Sequence, residues 1–502
     1  LIDNDHFYTR RHHGIRVPNA IYWRAKSLAR GSIIVIDLGK TLSKVSLWRP
    51  DGTLLDRKVR PNAPVEIDGL RRLDARGIGD WLLGALREFA ALKLDAPIDT
   101  IVPVGHGAGV VGVAQGALAF PPLDYEQAIP ADVMDAYRAQ RDSFAVTGSP
   151  ALPDGLNFGS QLFWLEQLYP DAFAAGSPQR ATLMPWAQYW AWFLTGLACS
   201  EVSSLGCHSD VWNPAQGTFS PMAVRRGWAD QFAPVEKAGS IVGTLSPAIS
   251  RATGLAGTVE VRAGLHDSNA ALMAARGFDQ LAGQDATILS TGTWFIAMRL
   301  PAEPVDLAAL PEARDCLVNV DVFGQPVPSA RFMGGREIES LIEIDTRRVD
   351  IKPDQPALLG AVPEVLAQGI MILPTLCRGF GPLPQGTFGW VNRPSDWYQR
   401  RAAACLYAAL VADVSLGLIG AKGRLLVEGR FAEAEVFVRA LAALRPDMEI
   451  YTANAHNDVS FGALRLIDPS LKPQGELVPV APLDGDIAAY REAWRAVIAV
   501  PA

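Results

Sequence analysis

Four short stretches of this chain carry residue types able to do chemistry. Asp37-Leu38-Gly39-Lys40-Thr41 ends the apolar run SIIVID and turns into the alternating segment SKVSLWR. A glycine turn exposes backbone N–H groups that can cradle a phosphate. Lys40 or Lys44 adds positive charge there, and a strand-end aspartate, Asp37, suits a hydrated Mg2+. The same residues alone also describe a plain hairpin with a polar turn. Ser290-Thr291-Gly292-Thr293 places three hydroxyls around one glycine, again between two strand-like runs. Ser/Thr-rich turns are usually only turns, but one such turn in each half of the chain describes two hairpins gripping a triphosphate across a cleft.

The third stretch is Gly264-Leu265-His266-Asp267-Ser268-Asn269-Ala270-Ala271, a strand followed by a helix of small residues. Asp267 stands near the helix start, where a carboxylate is electrostatically favoured; a simple helix-capping aspartate is the other reading. The fourth, LLVEGRFAEAEV from Leu425 to Val436, is a strand ending in Gly429 with a helix soon after, a geometry in which backbone approaches a nucleotide.

The elements that must position these residues follow from periodicity. Strands are expected at Ser32–Asp37, 43–49, Thr53–Val59, Ile98–Val104, 258–263, Ala286–Leu289, Trp294–Arg299, 370–374, 424–427 and 448–451. Helices are expected at 79–93, 157–169, 181–197, within 223–240, and at 396–421, 432–444, 458–466 and 484–499. Strand and helix alternate through both halves, and a strand-turn-strand opens each. That pattern predicts an α/β protein with mixed sheets in two lobes, divided near 278. The halves are too dissimilar to count as a sequence repeat.

At 502 residues, 49% hydrophobic and 20% charged, the composition is that of a globular chain. The length predicts two large domains or three smaller ones at roughly 100–200 residues each. The net charge of −7 and the lack of a long basic run argue against nucleic acid as a partner. Five scattered cysteines without metal-ligand spacing fit a reducing cytosol. The nearly charge-free stretch Ile101–Phe120 holds five glycines, Pro103, His106 and Gln115, and reads as two buried strands rather than a membrane span. Residues 1–30 are Arg-rich and irregular, without the apolar core of a signal peptide, and read as an extension preceding the fold, with a transit peptide as the second reading.

In order, DLGKTLSKVSLW, GLHDSNAA, LSTGTW and LLVEGRF resemble the FGGY family of carbohydrate kinases from residue 31 to the end. MPWAQYWAWFLTG at 184–196, GCHSDVWNP at 206–214 and FGAL at 461–464 add to the resemblance. GLHDSNAA is similar to the His-Asp motif of the rhamnulokinase and fuculokinase type. The resemblance implies a two-lobed actin-like ATPase (ribonuclease H-like) fold with a cleft between the lobes. Residues 31–277 would then bind sugar and residues 278–502 nucleotide. It implies ATP and Mg2+ as cofactors and a small-molecule sugar as acceptor; with the charge and the 101–120 stretch, neither nucleic acid nor membrane is expected as a partner, and oligomeric state is left open. Residue by residue, it implies that Asp37, Gly39, Lys40 and Thr41 meet the ATP phosphates, with Asp37 at the metal and Lys44 where relatives carry Arg or Lys. Thr291, Gly292 and Thr293 would form the second phosphate loop, and Gly429 would face the adenosine. Asp267 would be the general base, and His106, Gly107 and His266 would line the sugar pocket with it. The chain departs from the pattern at Glu428-Gly429-Arg430, where relatives carry a glycine run, and at Asp124-Tyr125-Glu126, where they carry Asp-Arg.

Competing readings make different demands. Gly107-Ala108-Gly109-Val110-Val111-Gly112 has the dinucleotide fingerprint, but that motif must open a helix, and residues 113–122 read as a strand. An actin-like ATPase without a sugar acceptor shares the two phosphate turns. A non-catalytic sugar sensor would tolerate the altered Gly429 loop. Trp186, Trp190 and Trp192 read as core.

Overall fold

The computed structural model describes residues 31–346, 348–454 and 459–498, so the expectation for residues 1–30 lies outside the described residues. Two seven-stranded mixed sheets organise the chain. The first has the order Ile241–Thr244, Glu260–Arg262, Ile98–Gly105, Ser32–Leu38, Leu42–Trp48, Leu54–Pro61, with Leu265–His266 also paired to Ile98–Gly105. The second runs Cys316–Val320, Pro326–Phe332, Phe295–Leu300, Ala286–Thr291, Gly423–Gly429, Met448–Ala453, Leu477–Pro479. Each begins with the expected hairpin: Ser32–Leu38 pairs antiparallel with Leu42–Trp48, and Ala286–Thr291 with Phe295–Leu300. Ser32–Leu38 is buried along its whole length, as a continuous β-branched run dictates for a central strand.

The helix Asp267–Ala275 lies between the sheets. Ala270, Met273 and Ala274 pack on the first, with Val35 and Val104. Leu272 and Ala275 pack on the second, with Ile288 and Leu426. A helix buried on both faces needs apolar residues all round, and DSNAALMAA supplies small ones that let both sheets approach. The helix Val459–Leu464, far along the chain, packs on the Asp267 helix and on the first sheet through Phe461 and Leu464. A segment far along the chain thus supplies part of the core beneath the first sheet.

Some elements differ from expectation. Residues 181–197 are not one helix: Thr182–Pro185 is a strand paired with Val110–Ala114, and the helix is Trp186–Thr195. Pro185 disfavours helical backbone before it, so the helix starts after it. Gly107–Gly112 leads into the strand Val110–Ala114 and not into a helix, as the turn residues required. The strand expected across 113–122 amounts to the end of Val110–Ala114 and the short strand Ala117–Leu118. The helix within 223–240 is confined to Pro221–Arg225. Trp397–Leu418 is long and apolar enough to cross a membrane, but 83% of its apolar window is buried, and it forms the spine of the second lobe's core. Trp186 and Trp190 are core, as expected.

Candidate active site

Three parallel strands end side by side, and two of the four predicted clusters, together with His106-Gly107, sit at their ends. Leu38 stands opposite Gly105 on one side, and His266 opposite Gly105 on the other. Carboxyl ends of parallel strands leave amides and helix starts open to ligands. The register therefore sets the Gly39–Thr41 turn, His106-Gly107 and His266-Asp267 in one row.

At the first turn, Gly39 N–H donates to Leu42 O at 3.1 Å and closes the hairpin. Asp37 is buried, with Lys44 Nζ 3.3 Å from its Oδ2 and directly across the hairpin. Lys40 turns elsewhere. Its ammonium bonds to Asp124 Oδ1, lies 3.7 Å from Glu126 and sits 4.3 Å from the centre of the Tyr125 ring. Arg71 Nε holds the second Asp124 oxygen at 3.1 Å. Burial alone would raise the Asp124 carboxyl, but Lys40, the Glu126 amide and Arg71 hold it below its ordinary value. Asp124-Tyr125-Glu126, noticed in the sequence only as a departure, is thus a wall of the site.

Tyr125 meets the His106 ring edge-on at 5.6 Å, and Trp186 lies against the same ring at 5.8 Å. Burial holds the His106 imidazole below its ordinary value, offset in part by the Gly107 carbonyl 2.7 Å from Nδ1 and by the charge of Asp267. A Cβ on Gly107 would stand 2.6 Å from Cys207 Sγ and 3.0 Å from His266 Nε2, so this close approach requires glycine.

Asp267 is the first residue of its helix and His266 is the cap. Its Oδ1 accepts from Ser268 N–H at 2.6 Å and from Ser268 Oγ at 3.3 Å, and lies 3.1 Å from His266 Nε2. Among the described residues none donates to Oδ2, and the side chain is 31% exposed. His266 is buried, which lowers its pKa and keeps the ring neutral near pH 7, while Asn269 Nδ2 stands 3.5 Å from Nδ1. His208, by contrast, is structural: Nδ1 lies 2.7 Å from Leu156 O, and burial pushes the ring down to about 4.

The second sheet forms a similar row. Thr291 stands opposite Gly429 in parallel strands. The Thr291 hydroxyl is buried; it donates to Glu428 O at 2.5 Å and accepts from Phe431 N–H at 3.1 Å. It therefore ties the second turn to the Gly429 loop and has no proton left for a ligand. Gly429 has φ +87°, and a Cβ there would meet Thr291 O at 2.3 Å. Gly292 is open: its nearest neighbour to a Cβ is Trp294 O at 3.7 Å. The carbonyl of Thr293 accepts from Arg336 N–H at 3.3 Å, at the start of the helix Gly334–Ile342. A Cβ on Gly335 would lie 1.9 Å from Gly292 O. This Gly334-Gly335 pair was not singled out in the sequence, although paired glycines opening a helix are a signal of close approach. Glu428 is enclosed and its carboxyl is pushed up to about 7 by burial, while Arg430 reaches Glu339 at 3.3 Å.

The two rows are linked through Cys207. Its Sγ lies 3.4 Å from His266 Nε2, and its surroundings include both Asp267 and Arg331. The Arg331 guanidinium in turn lies 5.0 Å from the ring centre of Trp294, which follows the second turn.

Comparison with known proteins identifies the family and the fold. Residues 283–474 match the family model described as "Carbohydrate kinase FGGY, C-terminal domain". A solved carbohydrate kinase from Novosphingobium aromaticivorans is 72% identical, covering 93% of this chain and 100% of its own, with a TM-score of 0.89. The chain belongs to the FGGY family of carbohydrate kinases. Its fold is the family's actin-like, two-lobed one, and the enzyme is a sugar kinase. More distant FGGY-type structures share the fold. The xylulose kinase of Lactobacillus acidophilus is 13% identical over 93% of this chain and 98% of its own, with a TM-score of 0.74. The Plasmodium falciparum glycerol kinase is 11% identical over 92% of each chain, with a TM-score of 0.71. No curated protein matches the chain.

Proposed function

We propose that this FGGY kinase transfers the γ-phosphoryl group of ATP to a hydroxyl of a ketose, with Asp267 as the base. One observation carries the reading: the strand register sets Asp267, half-exposed with Oδ2 uncommitted, in a row with the Gly39–Thr41 turn and His106. A sugar hydroxyl is a weak nucleophile at neutral pH, and a carboxylate in reach takes its proton as the bond to phosphorus forms. Ser268 and His266 fix Oδ1, which leaves Oδ2 to receive that proton.

The open turns at Gly39–Thr41 and Gly292–Thr293 receive the phosphates, and Lys44 supplies positive charge beside the first. The Gly429 loop faces the adenosine. Asp37 fits a magnesium site that keeps most of its water, because Mg2+ binds through one or two carboxylates plus phosphate oxygens. When bound, Mg2+ would neutralise phosphate charge. Asp37 would hold it, and Lys44 would shift from that carboxylate toward phosphate. His106, Gly107, His266 and Tyr125 line the acceptor pocket. The likeness of GLHDSNAA to the rhamnulokinase and fuculokinase motif favours a deoxy-ketose such as L-fuculose or L-rhamnulose, with xylulose-type sugars next. Free, buried or half-buried cysteines favour a cytosolic setting.

The test is coupled ADP release with Mg-ATP across ketoses and polyols, in the wild type and in Asp267→Asn. A sugar-dependent rate should appear and fall at least about 100-fold in the variant, with ATP binding retained. Near-normal turnover by Asp267→Asn would remove the base assignment. ATP loss without any sugar would favour an ATPase instead, and sugar binding without transfer would favour a sensor.

A further inference from the structure

A buried carboxylate that the reaction does not touch is linked by one serine to the backbone just before the base. Glu201 is fully buried and precedes the short helix Val202–Leu205. Four donors surround it: Ser203 N–H at 3.0 Å and Ser203 Oγ at 2.6 Å, Ser204 N–H at 3.1 Å and Ser204 Oγ at 3.3 Å. All four are neutral, so the charge is held by hydrogen bonds alone. Ser203 Oγ has a second partner, the backbone N–H of His266 at 3.2 Å. A hydroxyl has one proton to give. With that proton committed to Glu201, the Ser203 oxygen must present lone pairs to His266. At the far end of the same segment, Cys207 Sγ touches the His266 ring at 3.4 Å. The segment 201–207 therefore grips the residue before Asp267 at both its backbone and its side chain.

We propose that Glu201 is a positioning residue for phosphoryl transfer, setting the polarity of a Glu201–Ser203–His266 hydrogen-bond chain that fixes where the Asp267 carboxylate stands. The inference rests on the reading of Asp267 as the base. Displacing a reacting group by about 1 Å can cost about 100-fold in rate, even when the change lies away from the chemistry. The chain also carries a pH signature. Burial pushes the Glu201 carboxyl up to about 7 against the pull of the serine donors. Protonation turns one acceptor oxygen into a donor, which frees the Ser203 hydroxyl to rotate. The titratable groups around it are Cys199 and Glu236 on the strand side, and Cys207 and His266 on the site side. Burial, aided by Glu236 and Glu201, holds Cys199 as a thiol near neutrality, burial does the same for Cys207, and burial keeps His266 neutral.

The test compares Glu201→Gln, Ser203→Ala, Ser203→Thr and Asp267→Asn in the full chain, using the best acceptor of the ketose panel and measuring kcat and both KM values against pH. Glu201→Gln and Ser203→Ala should lower kcat about 10- to 100-fold with little change in either KM. Ser203→Thr, which keeps the hydroxyl, should restore most of it. The wild type should lose kcat as pH falls through about 7, and Glu201→Gln should lack that limb. Wild-type kcat in both Glu201→Gln and Ser203→Ala, with Asp267→Asn inactive, would overturn the positioning role and leave the base in place. An active Asp267→Asn would overturn the base itself. If Glu201→Gln does not fold, the Ser203→Ala and Ser203→Thr pair decides, and equal losses in both would count against the proposal.

Discussion

Lys40 and Lys44 are four residues apart, and only the folded chain separates their work. Lys44 faces Asp37 across the hairpin, whereas Lys40 is committed to Asp124 and the Tyr125 ring. Asp124 is almost wholly buried, so removing one cation leaves a charge that water cannot reach. Breaking a buried pair from one side costs about 3–5 kcal/mol. Arg71 stays in place as a second partner, so Lys40→Met should lie toward the lower end of that range in urea unfolding. Its KM for sugar should rise more than its KM for ATP, because Tyr125 and His106 lose their support. The opposite ordering of the two KM values would return Lys40 to the phosphates. Neither outcome was legible from residue type: a lysine in a glycine turn reads as a phosphate cation until its partner, 84 positions away, is known.

At the scale of elements, parallel pairing decides which turns meet. The strands Ala286–Thr291 and Gly423–Gly429 are registered so that Thr291 and Gly429 end together, and the buried Thr291 hydroxyl joins their loops. Thr291→Val keeps the shape but strands the Phe431 N–H and the Glu428 carbonyl. An unsatisfied buried group costs about 1–3 kcal/mol. The variant should unfold at lower denaturant and bind ATP more weakly, with its KM for sugar largely kept; unchanged ATP affinity would mean that the tie has no part in the nucleotide loop. The hairpins, the long core helix and the strand before Asp267 were legible because their periodicity is strong. The strand Thr182–Pro185 was not, because a short, mostly apolar run before an aromatic-rich helix looks like its first turn, and only the partner Val110–Ala114 makes it a strand.

Across the whole molecule, the helix carrying Asp267 joins the two sheets, and the helix Val459–Leu464 braces it from the far end of the chain. At their crossing a Cβ on Gly462 would lie 1.7 Å from Ala270 O, so the two backbones touch. Forcing a side chain into such a contact typically costs about 1–3 kcal/mol. Gly462→Val should therefore destabilise the protein in urea unfolding and also lower kcat, because the displaced helix is the one that begins at Asp267. A loss of stability with kcat intact would uncouple the brace from the site. A second contact crosses between the halves where Val318 N–H donates to Gly148 O at 2.8 Å, and a Cβ on Gly206 would meet Val320 Cγ2 at 2.4 Å. It adjoins Cys207, so the segment that holds His266 also touches the second sheet.

The sequence by itself determined the class of fold, the two opening hairpins, the order of the chemical clusters and Asp267 as the candidate base. Those features depend on local periodicity, turn chemistry and motif order, which act over a few residues. The tertiary structure alone decided which clusters stand in one row, that Lys40 serves Asp124, that the Thr291 hydroxyl is spent within the protein and that Glu201 is tied through Ser203 to the backbone of His266. Each of these is a pairing between distant positions, fixed by strand register and burial, and no local pattern in the chain encodes it.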